Sequence, residues 1–122
     1  MSQNAWGFDE GAWAAAKEQA KELLSRYAKQ RRMIPYSEFV TKISAISLEP
    51  HDPRLAHFLG EISSEESEAG RGMLSALVVH KSGDMQPGPG FFELAQRLGR
   101  DFRDIEKFWI QEVKRVFDAW AL

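Results

Sequence analysis

Apolar positions fall on one stripe between Trp13 and Tyr27: Trp13, Ala16, Ala20, Leu23, Leu24 and Tyr27. That spacing predicts an amphipathic helix with its stripe turned to a core, and Asp9 stands where an N-cap belongs. Phe39, Val40 and Ile43 predict a second, shorter helix that starts near Pro35 or Ser37. Met33-Ile34 before it reads as an edge strand, because a residue that precedes proline avoids the α region. A loop anchored by Ile46 and Leu48 follows. Asp52 then Pro53 is a cap followed by proline at the first helical position. Leu55, Phe58, Leu59 and Ile62 form the buried stripe of this third helix, and Gly70 or Gly72 ends it.

The pattern then changes. Leu74 to Val79 is short, apolar and β-branched, which predicts a buried strand. Ser82-Gly83-Asp84 is a turn. Pro87-Gly88-Pro89-Gly90 is a tight corner, since proline brings no ladder donor. A short helix from Phe91 ends at Gly99. Asp104 caps a last helix whose stripe is Ile105, Phe108, Trp109, Val113, Val116, Phe117 and Trp120. This predicts a mainly α fold with a small β component. Residues 1–8 read as a flexible N-terminus and residues 9–122 as a single domain, the size expected of a chain of 122 residues.

Composition narrows the chemistry. With no cysteine, disulfides, thiolate nucleophiles and Cys-ligated metals are excluded. A formal net charge of −2 gives no global basic field. No signal peptide or membrane-length apolar run is seen, so the expected location is cytoplasmic with no membrane partner.

The element order from Met33 to Met85 resembles a winged-helix module: helix, short strand, helix, recognition-type helix, hairpin wing. Tyr36 to Ser44 is its second helix, Pro53 to Ala69 its third, and Leu74 to Met85 its wing. The resemblance implies a winged helix-turn-helix-like core flanked by N- and C-terminal helices. The segments IPYSEFV, LGEIS, GRGMLSALVVHKSG and PGPGFFELAQRLG also resemble a family of small uncharacterised bacterial proteins, which implies no activity.

A winged-helix resemblance raises DNA binding, and charge argues against it. His51 to Gly70 carries Arg54 against Asp52, Glu61, Glu65, Glu66 and Glu68. An acidic groove-reading helix would face a row of phosphates. Glu61, Glu65, Glu66 and Glu68 are therefore read as a solvated face that docks a basic protein partner. Nucleic acid is the alternative partner, through the wing and the basic first helix, with Lys29, Arg31, Arg32, Arg71 and Lys81 as candidates. Trp6, Trp13, Tyr36, Met85 and Trp120 are candidate anchors where they escape the core.

His57 and Glu61 lie four apart on the third helix, where an acid–base or metal pair can form. No second motif completes such a site. His51 belongs to a loop and His80 ends a strand. The PGPG stretch lacks the Gly-Lys-Ser/Thr ending of a phosphate loop. The reading is a non-enzymatic interaction module with no cofactor, no metal site and no catalytic residue.

Overall fold

The computed structural model describes residues 6–80 and 86–121. Asp9 caps helix α1, Glu10–Lys29, with Oδ2 accepting from the Ala12 N–H at 2.9 Å. Strand β1 is Ile34–Pro35 and leads directly into α2, Tyr36–Thr41. Asp52 caps α3, Pro53–Glu68, accepting from the Arg54 N–H. A 3-10 turn, Leu74–Leu77, runs into β2, Val78–Val79. Helix α4 is Pro89–Arg97, and α5 is Ile105–Ala119, capped by Asp104. The fold is mainly helical, with one small two-stranded sheet among the described residues.

Three sequence expectations change. Leu74–Leu77 is a 3-10 turn rather than strand, and only Val78–Val79 extends. All six of these residues are buried, so an apolar run predicted burial correctly but not backbone shape. Among the described residues β2 pairs with β1 in parallel, Ile34 opposite Val78 and Pro35 opposite Val79, and with no returning wing strand. The His80 N–H donates to the Gln86 carbonyl at 3.0 Å, while the turn at residues 81–85, with Lys81 and Met85, lies outside the described residues. Ile105 is 47% exposed rather than inward, because it opens α5 ahead of the turns that meet the core.

Residues 6–8 contact the start of α3. Trp6 stacks on His57 with ring centroids 3.9 Å apart. Arg54 donates to the Trp6 carbonyl and lies over the Phe8 ring. These contacts fasten residues 6–8 to the start of α3.

The 3-10 turn is the hub of the core, and α1, α3 and α5 all pack on it. The Trp109 indole N–H donates to the Ala76 carbonyl at 2.9 Å. Ser63 and Ser75, both buried, are joined twice: Ser63 Oγ donates to Ser75 Oγ at 2.6 Å, and the Ser75 N–H donates to Ser63 Oγ at 2.9 Å. These bonds satisfy polar groups that would be costly to bury alone. The aromatic rings of Phe91, Phe92, Phe102 and Phe108 pack together and hold α4 to α5. No described helix is long and apolar enough to cross a membrane.

Candidate functional site

Helices α3 and α4 approach closely because their contact is made by small residues. A Cβ built on Gly90 would stand 3.3 Å from Ala56 Cβ, and one on Gly60 would stand 3.7 Å from Leu94 Cδ2. On one side of this contact lies a groove of about 460 Å³, walled by Trp6 and His57 at one end and carrying Glu61, Glu65, Glu68 and Glu93. A smaller cavity of about 230 Å³ adjoins the same contact and has Tyr36 and His80 in its lining.

The four acidic residues singled out on α3 meet different fates. Glu61 Oε1 accepts from the Trp13 indole N–H at 3.0 Å and from Lys17 at 3.2 Å. Glu65 bridges Lys17 at 2.7 Å and Lys21 at 2.6 Å. Burial works to raise the Glu65 carboxyl, but the two ammonium groups outweigh it and hold the group below its ordinary range. Lys17 is the mirror case: burial works against its charge, and the hydrogen bonds and field of Glu65 and Glu61 raise it. Glu66 is no part of a solvated face. It is 2% exposed and is bonded by the Arg71 guanidinium. Its position explains this, since it continues the stripe of Leu59, Ile62 and Ser63. Glu68 is exposed and makes no ion pair among the described residues.

Glu93, on the outer face of α4, is the groove residue that the sequence analysis passed over. It too is exposed without an ion pair among the described residues. Nothing in its local pattern marks it, because only the α3–α4 crossing brings it to the same groove as Glu68. Arg97, one turn further along α4, is the groove's basic residue.

The basic candidates divide in the same way. Arg31 has a left-handed backbone, φ +54°, and reaches Asp118 at 3.4 Å with its guanidinium over the Phe117 ring. Arg71 pairs with Glu66 and lies over Trp120. Both are thus drawn to the C-terminal end of α5. Arg32 lies over Tyr27, and Lys29 is exposed in the last turn of α1.

His57 does not bond Glu61. Its ring is stacked on Trp6, and Glu61 is turned to α1. Among the described residues no three His, Asp or Glu side chains gather as metal ligands. Of the aromatic candidates, Trp13 is buried, whereas Trp6, Tyr36 and Trp120 are half-buried. No family model, curated protein or solved structure matches this chain.

Proposed function

We propose that this chain is a small non-enzymatic interaction module that takes a basic segment of a protein partner along the α3–α4 groove. The observation that carries the reading is the pair of exposed carboxylates, Glu68 from α3 and Glu93 from α4, that line one groove with no cation paired to either among the described residues. Lys17 and Lys21 already neutralise Glu61 and Glu65 from the α1 side, so Glu68 and Glu93 are left to attract a partner's Lys or Arg. Such pairs act mainly on encounter rate and register. The winged-helix-like arrangement belongs to the same proposal. It is supported by the order helix, strand, helix, helix, strand, and the parallel pairing of its strands sets it apart from a hairpin wing.

The test is fluorescence anisotropy with a labelled Arg/Lys-rich peptide, with random duplex DNA titrated in parallel. The expected result is peptide binding that weakens with salt and is lost in the Glu68→Lys, Glu93→Lys double variant, mostly through slower association. Duplex binding with a steep negative salt slope, lost in Arg31→Glu, would replace this reading with the nucleic-acid one.

A further inference from the structure

The smaller cavity shares Ala56, Gly60, Gly90 and Leu94 with the acidic groove, and the rest of its lining differs in chemistry. Leu55, Leu59, Phe91 and Leu94 supply apolar walls. Four described side chains add hydrogen-bond donors at its lining: Tyr36, His51, Ser75 and His80.

Tyr36 has a defined hydrogen-bond state. Its hydroxyl oxygen accepts from the Gly88 N–H at 2.8 Å. Burial pushes the phenol up from its ordinary value, with the Gly88 bond working the other way, so the group keeps its proton. That proton has no acceptor among the described residues. The His80 ring packs beside Tyr36, centroids 5.0 Å apart, and neither it nor His51 makes a ring hydrogen bond among the described residues. Among the described residues the lining's one carboxylate, Asp52, is already engaged. Both its oxygens accept from the Arg54 guanidinium at 2.7 to 3.1 Å, and that pairing holds it below its ordinary range. Among the described residues, Tyr36 and the two imidazoles thus offer unused donors, each neutral imidazole keeping one acceptor nitrogen beside its N–H.

The cavity is also small. A volume of about 230 Å³ is below the roughly 300–1,000 Å³ of pockets that enclose drug-sized ligands. At ~30 Å³ per water it corresponds to about eight waters. A ligand with a compact apolar body and an acceptor group suits this lining.

We propose that this cavity binds a small organic acid, its ring or branched chain against Leu55, Leu59 and Phe91, and its carboxylate accepting from Tyr36, His51 and His80. The proposal stands independently of the groove and of any partner bound there.

The probe is sodium benzoate, titrated into the full chain and followed by amide NMR and calorimetry, with benzamide as the neutral analogue of the same shape. The expected result is saturable binding, with a Kd no weaker than about 1 mM, an ordinary efficiency for so small a ligand. Shifts should centre on Gly88, Gly90, Leu59 and His80, and benzamide should bind at least tenfold more weakly. Tyr36→Phe should weaken benzoate about tenfold or more, the effect of losing one hydrogen bond to a charged group. Because Tyr36 also holds Gly88, His80→Ala is the second variant. It removes an exposed ring that makes no hydrogen bond among the described residues, and it should weaken benzoate as well while circular dichroism stays like the parent's. Absence of saturable shifts at about 10 mM, equal affinity for benzamide, or unchanged affinity in both variants would overturn the site. So would capture of a peptide ending in phenylalanine under conditions where benzoate does not bind.

Discussion

The backbone N–H of Met73 donates to Oε2 of Glu112 at 2.7 Å, across the interface between the 3-10 turn and α5. Glu112 is 3% exposed, and Arg100 and Arg115 approach the same carboxylate at 3.4 and 3.9 Å. A single side chain thus satisfies a buried amide and anchors two guanidinium groups. Glu112→Ala is expected to cost about 3 kcal/mol, because it leaves the Met73 N–H unpaired in the core and Arg100 without its carboxylate. Chemical denaturation reads this as a lower midpoint at unchanged slope. A midpoint like that of the parent protein would mean that the amide is reached by water.

Val78 is fully buried in β2, opposite Ile34. Val78→Asp places a carboxylate among apolar side chains with no partner, a change that unfolds a domain of ordinary stability. Circular dichroism should show loss of helix and of the cooperative melt. A near-parental melting curve would mean that β2 is peripheral.

Gly60 lies in the interior of α3, where glycine costs about 0.5–1 kcal/mol relative to alanine. A methyl group there meets Leu94 at ordinary contact distance, 3.7 Å. Gly60→Ala should therefore raise stability by about that amount. Gly90→Ala should not, since its methyl group would crowd Ala56 at 3.3 Å. Thermal melts of the two variants side by side test the contrast, and a gain in both or in neither would contradict the packing described for α3 and α4.

Asp52 and Glu65 are both held below the ordinary carboxylate range. For Asp52 the leading cause is the hydrogen bond from Arg54. For Glu65, burial opposes the shift, and Lys17 and Lys21 overcome it. A carboxylate whose folded value is depressed contributes stability that is complete above its unfolded value, about 4. That contribution is lost as pH falls through the folded value. Stability should thus decline on acidification below about pH 4, and Glu65→Gln should show a shallower decline. Melting temperatures collected from neutral to strongly acidic pH check the sign. A decline as steep in Glu65→Gln as in the parent would remove Glu65 from the account.

The sequence by itself determined where three of the helices begin and where two of them stop. Asp9, Asp52 and Asp104 each cap a helix with a side-chain oxygen, and Gly70, Gly72 and Gly99 take the positive φ expected after a helix. These signals are local: a cap or a terminal glycine acts within three or four residues, so neighbouring letters suffice to read it. Burial of the apolar stripes was legible for the same reason.

Only the tertiary structure decided the partners of the charges. The negative half of α3 looked like an open acidic face, yet Lys17 and Lys21 reach it across 44 and 48 positions, and Arg71 closes over Glu66. Glu66 and Glu112 occupy stripe positions, a clue that periodicity offered and that their charge obscured. The parallel pairing of β1 with β2, the meeting of Glu68 with Glu93 along one groove, and the gathering of Tyr36, His51 and His80 around one cavity depend on how separate elements cross. Periodicity along a chain specifies which face of an element is dry. It carries no information about which other element will cover that face, because that choice is made by shape and charge complementarity between residues far apart in sequence.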